Sequence, residues 1–188
     1  MTKTILFSLT LGILLAACNS TDNYKITINT NQNIDKTAYL IRFEENKPII
    51  FDSASWNNGY VFQGDFTTPE IVHFQISGIN ENASFFIDKG EFTIQTKENS
   101  IEIESVTGSE INSNYLAFLD STMYFEKKNQ EMYGIYQQAQ NENNTKVLDS
   151  IRALADVLYE SEQAYAKEVA FKNLNSALGL YIVRSKIV

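Results

Sequence analysis

The hydrophobic period of this chain changes once, near Gly108, and that change limits the folds open to it. Before Gly108, apolar residues recur at every second position. Ile26 and Ile28 alternate with Lys25 and Thr27, Tyr39, Ile41 and Phe43 with Leu40 and Arg42, and Val72, Phe74 and Ile76 with His73 and Gln75. The pairs Tyr60/Phe62, Phe85/Ile87, Phe92/Ile94 and Ile101/Ile103 repeat the pattern. Successive side chains of a strand point to opposite faces, so this period predicts strands with one buried face. Turn residues separate them at Asn31 to Asn33, Asn46-Lys47-Pro48, Asn57-Asn58-Gly59, Gly78, Asp88-Lys89-Gly90 and Glu98-Asn99-Ser100. Asp88-Lys89-Gly90 is short enough to join neighbouring strands as a tight hairpin. Roughly eight short strands with no helical period between them predict an antiparallel β-sandwich or barrel-like sheet over 24–107.

After Gly108, apolar residues recur at steps of three and four. Ile111, Tyr115, Phe118, Thr122, Phe125, Asn129, Met132, Tyr136 and Ala139 mark one face of a long helix, with Ser109 as its N-cap. Asn141-Glu142-Asn143-Asn144 interrupts it. Val147, Ile151, Leu154, Leu158, Tyr165 and Val169 then mark a second helix, which makes an antiparallel helical hairpin. Asn175-Ser176 can cap a short third helix carrying Leu178, Leu180, Tyr181 and Val183. The expected class is therefore α+β, with a β domain over 24–107 and a helical region over 108–188.

The N-terminus carries a different signal. Lys3 precedes an apolar run from Ile5 to Ala17, too short for a stable transmembrane helix. The run ends in Leu15-Ala16-Ala17-Cys18, which resembles a bacterial lipobox. The resemblance implies a signal peptide over 1–17, recognised through Leu15, Ala16 and Ala17, and an acylated Cys18 as the first mature residue. Two or more acyl chains anchor stably, each buried CH₂ contributing about 0.8 kcal/mol. Residues 18–23 then read as a lipidated tether. Asn19 and Ser20 follow the cysteine, so an Asp-type inner-membrane retention signal is absent. The expected location is the cell envelope, facing the periplasm, with the outer membrane favoured over the inner.

Composition removes several chemistries. The net charge is −8, which leaves no basic excess to neutralise nucleic-acid phosphates. One cysteine excludes an internal disulfide and a Cys-x-x-Cys redox pair. One histidine and one cysteine make a poor basis for a His/Cys metal cage, and no Gly-x-Gly-x-x-Gly, Walker or His-Glu-x-x-His motif is present. No catalytic residue is assigned. His73 sits on the polar side of its strand without a spacing that supplies a nucleophile and an orienting carboxylate. Glu102 and Glu104 read as a solvated strand face rather than as paired acids around a substrate. Trp56 beside Asn57 and Asn58 is the one candidate ligand contact, since an aromatic ring can stack on a sugar face. The competing reading is a turn whose tryptophan packs on the end of the sheet.

A broader resemblance rests on the order of several motifs. Phe51-Asp52-Ser53 is followed by Gly59-Tyr60-Val61-Phe62-Gln63-Gly64, then by Pro69 and the Val72/Phe74 strand. Later come Phe85-Phe86-Ile87-Asp88-Lys89-Gly90, Val106-Thr107-Gly108-Ser109, and Asn175-Ser176 before Ala177-Leu178-Gly179-Leu180-Tyr181. This series, spanning most of 24–183, resembles a domain of unknown function in Gram-negative envelope lipoproteins. That domain usually precedes a thioredoxin-like, peroxiredoxin-related domain in membrane-tethered thiol-disulfide oxidoreductases. Here no Cys-x-x-Cys exists, so the redox activity transfers to no residue of this sequence.

The expected function is a non-catalytic envelope lipoprotein module that binds or scaffolds a protein partner, or self-associates through its helical region. One alternative is the N-terminal part of a thiol-disulfide oxidoreductase whose redox domain is missing, suggested by an apolar pattern still running at Val188. A second is a glycan- or small-ligand-binding lipoprotein using Trp56.

Overall fold

The structure, a computed structural model, describes residues 23–31 and 35–187. The lipobox residues Leu15, Ala16, Ala17 and Cys18, and the tether up to Asp22, lie outside the described residues. Eight strands come first: β1 (Asn23–Asn29), β2 (Ala38–Glu44), β3 (Lys47–Ala54), β4 (Tyr60–Asp65), β5 (Glu70–Ile76), β6 (Ala83–Ile87), β7 (Gly90–Thr96) and β8 (Ile103–Thr107). Three helices follow: α1 (Glu110–Asn141), α2 (Thr145–Lys172) and α3 (Ala177–Ile182). A wide π-type turn over Val183–Ile187 continues α3. The architecture is α+β, as the change of period predicts.

The strands form two four-stranded sheets, ordered β4-β1-β7-β8 and β3-β2-β5-β6. Ile26, Ile28, Tyr60, Phe62, Phe92 and Ile94 of the first sheet share one buried core with Ala38, Leu40, Val72, Phe74, Ile76 and Phe85 of the second. The result is a sandwich rather than a closed barrel. All strand pairs are antiparallel except β1 with β7.

That parallel pair corrects the expected Asp88-Lys89-Gly90 hairpin. β6 is the edge of one sheet and β7 lies inside the other, so Asp88 and Lys89 carry the chain between sheets. Gly90 makes the corner at φ +93°. A two-residue turn closes a hairpin instead at Glu45-Asn46, between β2 and β3. Both residues have positive φ, the geometry that matches strand twist in a two-residue loop. Pro48 follows in β3, an edge strand, where its missing N–H costs no ladder bond.

The inward face of β2 is also the reverse of the apparent apolar set. Ala38 and Leu40 are buried, whereas Phe43 is 57% exposed. Period two fixes alternation but not which face meets the core; pairing with Phe74 and Ile76 of β5 decides it. The Leu40/Ile41 register shift leaves Phe51 as the extra residue of a bulge. The Arg42 guanidinium lies 5.2 Å from the centre of its ring.

Candidate interaction surface

The helices attach to the sandwich through β6. Phe85 and Ile87 face the sandwich core, and Phe86, on the opposite face, is equally buried. Phe86, Tyr115 of α1 and Tyr181 of α3 meet edge to face, with ring centres 5.3, 5.5 and 6.0 Å apart. Burial and the neighbouring Tyr181 hydroxyl push the Tyr115 phenol well above its ordinary pKa. Beside this triad the buried Asn112 side chain bonds the Phe86 backbone twice: Oδ1 accepts from the N–H at 2.7 Å, and Nδ2 donates to the C=O at 2.8 Å. Ser109 caps α1 by accepting from the Asn112 N–H, and donates its own proton to Asp88 at the end of β6. Asp88, Ser109, Asn112 and Phe86 thus form one continuous polar tie between strand and helix. Ser109 was legible as a cap. Asn112 gives no such signal, because an asparagine inside a helix carries no mark of burial in the sequence.

The same region fixes the hairpin. α1 and α2 are long enough to extend roughly 48 and 42 Å at 1.5 Å per residue. The two helices pack on each other, and their buried or half-buried residues include Phe118, Thr122, Phe125, Met132, Tyr136 and Ala139 of α1 and Ile151, Ala155, Leu158, Tyr165 and Val169 of α2. Phe118 and Tyr165 stack at 6.1 Å. Leu154, expected on that buried stripe, is instead 55% exposed, while its neighbours Ile151 and Ala155 are half-buried. Asn144 and Ser176 cap α2 and α3.

Away from the sheet the hairpin exposes large apolar groups: Tyr133 and Ile135 on α1, and Leu154, Val157 and Tyr159 on α2. At the base of the hairpin, Phe171, Leu174 and Leu180 are exposed as well. Ala170, Phe171, Leu174, Val183 and Ile187 line an apolar groove of about 310 Å³ there, with Lys167 on its rim. Monomeric proteins rarely leave contiguous apolar surface uncovered without a use for it. No helix among the described residues is long and apolar enough to cross a membrane.

The other candidates are placed as follows. Trp56 packs edge-on against Tyr60 at 5.3 Å and joins the rim of the sandwich core. Asn57 donates to the Gly59 carbonyl, while Asn58 and Gly59 take positive φ to reverse the chain. Glu102 precedes β8 and pairs with Lys97. His73 is half-buried, with Phe43 edge-on at 5.2 Å. Its Nδ1 lies 2.8 Å from the Ser84 hydroxyl, and burial lowers its pKa below the ordinary value. Ser84 lines a cavity of about 360 Å³ with Leu119, Asp120, Met123 and Glu126. Among the described residues no carboxylate bonds the other imidazole nitrogen, so the contact ties β5 to β6 without completing a triad. No cluster of three or more metal-ligating side chains is present among the described residues.

No curated protein compared with the chain matches it. A family model described as a domain of unknown function (DUF4369) matches residues 24–115. The match takes in the whole sandwich and ends at Tyr115, just past Asn112, so it includes both α1 residues that hold β6. Over this segment, just under half of its length, the chain is similar to the DUF4369 domains of unknown function.

Proposed function

We propose that this chain is a non-catalytic module of the cell envelope, lipid-anchored at Cys18, that binds protein through its helical hairpin. The observation that carries this reading is the exposure of large apolar side chains along the hairpin: Leu154 and Val157, one turn apart on α2, with Tyr159 on another face of that helix, and Tyr133 and Ile135 on α1. Side chains of this size lower free energy when they leave water, and a protein surface is what removes them.

The test is photocrosslinking in intact cells. A photoreactive residue at Tyr133 or Tyr159 is expected to give discrete protein adducts, and one at Lys25 on the sheet to give none. Adducts from Lys25 alone, or from no position, would overturn the reading. Intact mass of the detergent-extracted protein checks the anchor: acyl chains on Cys18 are expected, and an unmodified N-terminus would contradict it.

A further inference from the structure

α2 carries two stripes. One, through Ile151, Ala155, Leu158, Glu162, Tyr165 and Val169, is partly buried against its neighbours. The other runs through Ser150, Leu154, Val157, Ser161, Ala164, Glu168 and Phe171, and every one of its members is exposed. Its steps alternate four and three without a break for three heptads, the spacing of a helix–helix seam. A surface helix needs only the first stripe to attach to its own domain.

We propose that this second stripe is a seam between two copies of the chain, packed antiparallel about a two-fold axis. The proposal rests on the protein-binding reading above and specifies the partner. Its main support is that the stripe is self-complementary. Reversal about the midpoint between Glu162 and Gln163 brings Leu154 onto Phe171, Val157 onto Glu168 and Ser161 onto Ala164 of the second copy. An isologous contact requires such a pattern, because each layer must match the same surface reversed. The small Ser161/Ala164 layers flank the axis, where helices approach most closely, and the large Leu154/Phe171 layers close both ends. Phe171 is 69% exposed and Val157 60%, so the contact would remove much apolar area from water.

Charge fits the same register. Glu160 and Lys167 lie one heptad apart on the outer flank of the stripe, both exposed. Antiparallel pairing places Glu160 of each copy beside Lys167 of the other, two opposite-sign contacts about one axis. A parallel pairing would instead set Lys167 of each copy beside Lys172 of the other, a like-sign contact. Glu168 holds Lys172 at 2.6 Å within α2, so its carboxylate is partnered at the rim while its methylenes cover Val157 of the second copy.

The experiment is native mass spectrometry of the full chain extracted in mild detergent, with variants. Wild type is expected to be dimeric. Leu154→Glu is expected to weaken dimerisation at least about tenfold with unchanged far-UV circular dichroism, since the side chain is exposed in one copy. Glu160→Lys should weaken it as well, and Glu160→Lys with Lys167→Glu should restore it. A monomer at all concentrations would overturn the proposal. So would a dimer indifferent to Leu154→Glu, or one that the charge exchange fails to rescue. A monomer that still gives adducts with a different protein from Tyr159 would overturn the self-pairing and leave the protein-binding reading standing. A monomer that gives no adducts would remove both.

Discussion

The side-chain amide of Asn112 pairs with the backbone of Phe86 as a neighbouring strand would, accepting from its N–H and donating to its C=O. β6 is a sheet edge, and an edge residue otherwise leaves these groups to water or to another chain. Here Tyr115 and Tyr181 exclude water, so the amide is what satisfies them. The helical region is thereby held by the strand whose other face fills the sandwich core.

Asn112→Ala should therefore destabilise the protein more than an ordinary helix substitution. It removes two hydrogen bonds and leaves a buried donor and acceptor unpaired, a loss of about 3 kcal/mol. Urea unfolding measures it. Asn112→Asp should not rescue, because a carboxylate keeps the acceptor, loses the donor and brings a charge into a buried site.

Gly108→Ala should be costly for a different reason. Gly108 sits at φ +90°, and a Cβ there would lie 2.7 Å from the Glu91 carbonyl oxygen. Backbone strain and this contact together predict a loss of about 2 kcal/mol, seen as a lower unfolding midpoint. The residue marks where the strand period ends, and it admits no side chain there.

His73 should give a pH dependence of known sign. Burial disfavours its imidazolium, so its folded pKa lies below the ordinary 6.5. The unfolded chain takes up this proton first as pH falls. Stability from this group is complete above the unfolded pKa and declines as pH drops from about 6.5 toward the folded value. His73→Gln keeps a neutral polar group beside Ser84 and should lack that decline. Urea unfolding at about pH 7.5 and about pH 5.5 should show wild type losing more stability than the variant. Equal losses would contradict it.

Much of the fold was legible because its signals are local. The period switch at Gly108 and the caps Ser109 and Ser176 depend on nearby residues, and each stands where expected. What the sequence hid depends on partners distant along the chain. The inward face of β2 is decided by β5. The passage from β6 to β7 is decided by the parallel pairing of β7 with β1. Phe86 is buried on the far side of its sheet by helices that come later in the chain, which the alternation of Phe85 and Ile87 does not announce. Leu154 fitted a helical stripe, but α2 has two stripes one residue apart, and only the position of α1 shows which is covered. The candidate surface was legible as a helical region and illegible as a face.

The most direct test of the account compares side-chain accessibility by hydroxyl-radical footprinting in native envelopes and in dilute detergent extract. Phe43 and Val61 on the sandwich, 57% and 49% exposed, serve as internal references for Leu154 and Val157, 55% and 60% exposed. The account predicts that Leu154 and Val157 are protected in the envelope and become reactive on dilution, while Phe43 and Val61 react equally in both. Equal reactivity of Leu154 and Val157 in the two states, or protection confined to Phe43 and Val61, would contradict it.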